Sequence, residues 1–271
     1  MNQVWVNLVL RHYKTVVNTR LKQGPDPSNV NSMDKSSIDY WKLRTAIHLI
    51  NEEWGDAEAA ILFGMAYDEN NAWLWSYKAL LFLMYGDTPY DDGSSRKSGD
   101  SILDFFMKSD EPKKPENNKD IANEAIERAL AIDSQDAGSW FTKALIRNLL
   151  FDDDSEALAA IRRGLKLNPK CSYALGMQAA LLLPNGLFVE GDFRDALALD
   201  PSDDFAWFYK GLGLLLIRKY RQGLEAIDRA AQCAPNIEND SQYWRLRIET
   251  LRKLGRNREA YKAEERLRAL G

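Results

Sequence analysis

With 271 residues, 45% of them hydrophobic, the chain is long enough to bury a substantial core. Its 36 basic and 40 acidic residues are interspersed and leave a net charge of −4, which argues against a nucleic-acid platform with its basic face. The two cysteines, Cys171 and Cys233, have no metal-ligand spacing between them, so reduced thiols in the cytoplasm or another reducing intracellular compartment are expected.

The first predicted element is an amphipathic helix over residues 2–22. Val4, Trp5, Leu8, Val9, Tyr13, Val16, Val17 and Leu21 recur on it at helical spacing. Asn7 breaks its apolar run, which is too short to span a membrane, and no small-residue cleavage site follows. A soluble, unsecreted chain is expected. The next stretch, from Gln23 to Met33, reads as a loop by its Pro, Gly and Asn content. Residues 1–35 are thus a helix and linker ahead of a repeat region at 36–271.

That region is organised by a ladder of large aromatics: Trp41, Trp75, Trp140, Tyr173, Trp207 and Trp244, spaced 34, 65, 33, 34 and 37 residues apart. Three rungs share their flanks, reading Trp75-Ser-Tyr-Lys-Ala79, Trp140-Phe-Thr-Lys-Ala144 and Trp207-Phe-Tyr-Lys-Gly211. A period near 34 predicts stacked helical pairs. Each predicted second helix ends on a related phrase: Ala129-Leu-Ala-Ile-Asp-Ser134, Gly164-Leu-Lys-Leu-Asn-Pro169 or Ala196-Leu-Ala-Leu-Asp-Pro201. The small residue lets neighbouring helices approach, and the proline stops the helix.

From Trp207 the order Trp207, Gly211, Tyr220, Ile227, Ala230, Pro235 resembles the tetratricopeptide repeat, with Gly223 where that family usually has alanine. The resemblance covers about residues 36–270 and is strongest over 122–235. It implies an all-α, right-handed solenoid of about six helix-turn-helix pairs, with degenerate ends that present a polar outer face. The doubled spacing after Trp75 marks an insertion at 86–119, rich in Asp, Ser, Lys and Pro, that splits one pair. Within it the apolar cluster Ser101–Met107 reads as a short docking helix or a partner motif.

Nothing in the chain looks catalytic, and no cofactor or metal is expected. His12 and His48 have no acidic or cysteine partner at ligand spacing and read as packing or surface residues. No HExxH, CxxC, Walker loop or GxSxG occurs. Asp152-Asp-Asp154 fits the start of a helix, where carboxylates oppose the dipole.

In the family that the chain resembles, first-helix positions two before and one, five and eight after the rung face the concave side. Carried over, that register names Trp73, Leu80, Phe141, Leu145, Asn148, Gln178, Phe205, Phe208 and Leu212 as partner-binding candidates. The face is apolar, with no Lys, Asn and Arg set to hold a chaperone's C-terminal carboxylate. It is expected to hold a segment of another protein, or the chain's own residues 2–22. The resemblance therefore implies a non-enzymatic scaffold or adaptor, or an assembly chaperone for apolar segments. Prenyltransferase α-subunits also repeat tryptophan-bearing pairs, but their Asn-Tyr-x-x-Trp-x-x-Arg pattern is not met, since the rungs here read Trp-x-x-Lys.

Overall fold

The computed structural model describes residues 3–23, 26–51, 53–85 and 117–270, and every regular element among them is helical. Helix α1 is Gln3–Gln23. Six pairs follow: α2 Ile38–Ile50 with α3 Trp54–Tyr67, α4 Ala72–Tyr85 with α5 Asn118–Ile132, and α6 Ala137–Phe151 with α7 Asp154–Leu167. The last three are α8 Ser172–Leu182 with α9 Glu190–Leu199, α10 Asp204–Leu216 with α11 Tyr220–Cys233, and α12 Ser241–Lys253 with α13 Asn257–Arg268. Residues 86–116 of the expected insertion, including Ile102, Phe105 and Phe106, lie outside the described residues, as do the side chains of Val4 and Trp5. The chain divides into two compact units, one of Met1–His12 with Leu158–Gly271 and one of Tyr13–Ala157.

Four first helices are started by a side chain that satisfies orphan N–H groups, whereas Cys171 ahead of α8 makes no such bond. Ser37, Asp136, Asp203 and Asp240 accept from Asp39, from Gly138 and Ser139, from Ala206 and from Gln242 respectively. The second helices end alike: the N–H groups of Asp68, Asp133, Asp200 and Ala234 donate to the carbonyls of Gly64, Ala129, Ala196 and Ala230. These are the small positions of the ending phrases, and their size has a steric reason. A Cβ on Gly64 would stand 2.7 Å from a Leu74 methyl and 3.0 Å from the Trp41 Cβ.

The rung tryptophans bind each turn to the helix that follows it. Trp41, Trp75, Trp140, Trp207 and Trp244 donate their indole N–H to the carbonyls of Lys35, Glu69, Ser134, Pro201 and Glu238, at 2.7–2.9 Å. In every case the acceptor is six residues upstream, and the tryptophan is the fourth residue of its helix.

The fourth pair departs from the aromatic ladder. Cys171 precedes α8, and its carbonyl accepts from Leu175, just as the carbonyls of Asp136 and Asp203 accept from Trp140 and Trp207. Leu175, not Tyr173, is therefore the rung, and Tyr173 takes the place held elsewhere by Trp73, Gly138 and Phe205. The ending phrases carried this signal: Ala129 to Gly164 is 35 residues and Gly164 to Ala196 is 32. An aromatic near the expected spacing masked it.

The backbones of α10 and α11 approach closely. A Cβ on Gly211 would lie 3.1 Å from the Gly223 carbonyl oxygen and 3.2 Å from the Ile227 nitrogen, and neither atom can rotate away. Alanine gains about 1 kcal/mol in helix propensity, but overpacking costs roughly 1–3 kcal/mol. Gly211→Ala should therefore lower the urea midpoint of unfolding. A raised midpoint would show that the helices can separate without loss.

Candidate interaction surface

Arg20 lies on the same helical stripe as Val9, Tyr13 and Val16, and a charge on an apolar stripe needs a partner. In the unit of residues 13–157 it finds several. Its guanidinium donates to the Asp136 carboxylate at 2.6 Å and to the Ser76 hydroxyl at 3.0 Å. The same group lies 4.9 Å from the ring centre of Tyr77 and 5.5 Å from that of Trp73, leaving Arg20 only 4% exposed. Lys42 reaches the Trp73 ring as well, at 4.5 Å. Val16 fits against Gly138, where a Cβ would come within 3.3 Å of its methyl. Tyr13 is buried beside Trp54, with ring centres 6.0 Å apart.

In the other unit the first half of α1 is held by a second arginine. Arg11 is ion-paired to Asp203 at 2.5 Å and to Asp204, while Asn7 donates to Asp204 at 2.8 Å and to Asn236 at 3.2 Å. His12 is fully buried, with Nδ1 2.9 Å from the Tyr173 hydroxyl and the two rings edge to face. The aromatic displaced from the rung register is thus a contact for α1. None of these polar contacts was foreseen. The available signal was Asn7, Arg11 and Arg20 on or beside the apolar stripe of a helix read as amphipathic.

The nine residues named from the sequence fall into different environments. Leu80, Phe141, Leu145, Phe205 and Phe208 are buried, and Trp73 is half-buried between two cations. Leu212 packs on the cluster that contains Phe193 and Leu197. Asn148 donates to Asp154 at 2.7 Å, which turns it toward the second helix of its own pair. Gln178 donates to Asp192 at 2.8 Å, since the two-residue register shift places it three residues after Leu175 and facing α9. At the α6–α7 turn, Asp153 accepts the Glu156 N–H and pairs with Arg147, so these acids cap a helix.

The expectation for His48 is corrected. Its Nδ1 lies 2.5 Å from a Glu53 carboxylate oxygen, and with Asp56 the three could offer ligand atoms within 4.8 Å of one another. Glu53 and Asp56 are exposed, and the contact joins the end of α2 to the start of α3 as an ion pair does. No described helix is long and apolar enough to cross a membrane.

The two arginine anchors sit in opposite electrostatic settings. Burial opposes the charge on Asp136, yet the Arg20 guanidinium, with hydrogen bonds from Ser139 and Gly138, holds its carboxyl below the ordinary value of 3.8. Burial pushes Asp203 up, against the charge of Arg11 and the Ala206 N–H, and Asp204 adds a like charge. One oxygen of Asp203 is buried with no hydrogen-bond partner among the described residues.

The pH responses follow from the signs. A depressed carboxyl stabilises the fold above its unfolded value, and that contribution is lost as pH falls through the folded value. A raised carboxyl does the reverse. Asp136→Asn should cost about 2–3 kcal/mol near neutrality, and the difference from wild type should shrink below about pH 4. Asp203→Asn should cost less at neutral pH. Urea midpoints at neutral and acid pH check both, and equal penalties for the two variants would contradict the assignment.

No known family's sequence profile matches the chain, and no curated protein matches it by sequence. Solved structures do match. PilF of Pseudomonas aeruginosa superposes with a TM-score of 0.64 at 16% identity, over 86% of this chain and 91% of that one. PilW, described as a widely conserved type IV pilus biogenesis factor, gives 0.63 at 15% identity, over 86% and 92%. YrrB, described as a TPR protein with an unusual peptide-binding site, gives 0.50 at 14% identity, over 78% and 94%. Identities this low establish the fold alone. By its six helical pairs and these likenesses, the chain is an all-α helical-repeat protein of tetratricopeptide-like fold.

Proposed function

We propose that the protein is a non-enzymatic scaffold whose first-helix face holds a helical segment, and that α1 is the segment resting there until a partner replaces it. The observation that carries this reading is the manner of attachment. Arg11 and Arg20 are each tied to carboxylates that stand at the start of a first helix. Each unit contributes its own anchor. Charged anchors suit an exchangeable helix, because water and a competing arginine can replace them at little net cost.

Other observations support the coarser part of the reading. YrrB, on a similar fold, is described as having a peptide-binding site. His12 is fully buried with its Nδ1 against the Tyr173 hydroxyl, which keeps it out of reach as a general base. Cys171 and Cys233 are free thiols, and burial pushes Cys171 up to about 11, so it makes a poor nucleophile. Free thiols also fit a reducing intracellular compartment.

The test supplies α1 in trans. A chain lacking residues 1–23 should keep a helical circular-dichroism spectrum and bind the labelled peptide of residues 3–23 saturably, at micromolar Kd or tighter. Replacing Arg11 and Arg20 with alanine in the peptide should weaken binding by roughly a hundredfold, given 1.5–3 kcal/mol for each charged hydrogen-bonded contact. A truncated chain that is unfolded would make α1 an integral core element and overturn the reading. So would a folded chain that ignores the peptide.

A further inference from the structure

A cation three residues after the rung meets carboxylates in the third and sixth pairs and, among the described residues, meets none in the fifth. Three residues after the rung stand Arg44, Lys78, Lys143, Lys210 and Arg247, with Gln178 after Leu175. The third residue of the second helix is Asp56, Asp120, Glu156, Asp192 and Glu259 in five pairs, and Gln222 in the fifth pair. In the third and fourth pairs these positions meet in space: Lys143 is 3.2 Å from Glu156, and Gln178 donates to Asp192. A second acid can come from the preceding pair, six residues before the C-cap of its second helix. Glu127 is 2.7 Å from Lys143 in this way, and Asp228 is 2.7 Å from Arg247.

Around Lys210 both carboxylates are replaced. Its own pair offers the amide of Gln222, and the preceding pair offers Arg194, which turns to Asp195 at 3.0 Å. Among the described residues Lys210 makes no ion pair, and its ammonium lies 5.2 Å from the ring centre of Trp207. Lys210, Trp207 and Leu214 line a cleft of about 390 Å³ with Gln222 and Arg229. The cleft's two acids are not counter-ions for Lys210. Glu190 is 3.9 Å from Lys219, and Glu225 lies one turn from Arg229 on α11.

A half-buried ammonium on an indole face, in a cleft where Gln222 takes the place of the acid that the other pairs carry, is complementary to a carboxylate. The edge of the Trp207 indole gives the same cleft an apolar wall. We propose that this cleft of the fifth pair receives an acidic side chain from another protein, carried on a segment with an apolar residue beside the Asp or Glu. The ammonium pairs with the carboxylate, the ring face beneath adds cation–π attraction, and the neighbouring side chain packs on the indole edge. This surface is separate from the α1 contacts, so it stands or falls independently of the scaffold reading above.

The probe is a short, end-capped fluorescent peptide carrying Glu-Leu-Glu in a Gly/Ser background, titrated against the full chain by anisotropy. Saturable binding is expected, with roughly tenfold loss in Lys210→Gln, equivalent to about 1.4 kcal/mol. A peptide with Gln-Leu-Gln should not bind. Gln222→Glu restores the internal acid: it should weaken the peptide to a similar extent while raising the urea midpoint, a combination that misfolding cannot produce. The proposal is overturned if the acidic peptide fails to bind, if the amide peptide binds as well, or if folded Lys210→Gln retains full affinity.

Discussion

The indole N–H bond from each tryptophan rung to the carbonyl six residues upstream is the contact on which five of the six pairs depend. It ties the turn leaving one pair to the first helix of the next, so a single side chain sets where each new helix begins. The ring beneath it supplies a second contact, since Lys78, Lys143, Lys210 and Arg247 lie 5.2–6.0 Å from the ring centres three residues upstream. Such a contact contributes about 0.5–1 kcal/mol when exposed. Repetition makes it matter, because each pair in a linear array gains mainly from its neighbours.

Small residues complete that arrangement. Gly64, Ala129, Ala196 and Ala230 sit where the carbonyl of a second helix accepts its last N–H and a neighbouring helix packs close by. The Gly211–Gly223 contact goes further, bringing two backbones together with no side chain between them. These positions govern spacing, and the aromatic rungs govern register.

Helix α1 is held differently. Its apolar residues Leu8, Val9, Val16 and Val17 are buried, but its anchors are charged: Arg11 on Asp203 and Asp204, Arg20 on Asp136. A buried ion pair contributes less to stability than an apolar contact of the same size, because two charges must first be stripped of water. It contributes more to placement, since the guanidinium fork accepts few geometries. Asp136 and Asp203 also cap α6 and α10, so the residues that start those helices are the ones that hold α1.

The sequence by itself determined the fold class, the pairing of helices and most of the register. Tryptophans, small residues and helix-ending phrases each mark a local event with a local cause. The fourth pair shows where that reading stopped: Tyr173 had the right chemistry near the right spacing, while the hydrogen bond from Leu175 to Cys171 placed the rung two residues later. The partners of Arg11, His12 and Arg20 were decided only by the tertiary structure. They lie more than a hundred residues away, at Asp203, Tyr173 and Asp136, and helical periodicity records only which face a residue takes, not what the fold brings against it. The lone cation at Lys210 lies between these cases. Gln222 was visible as an exception in the chain, but only the cleft around Trp207 brings it together with Lys210.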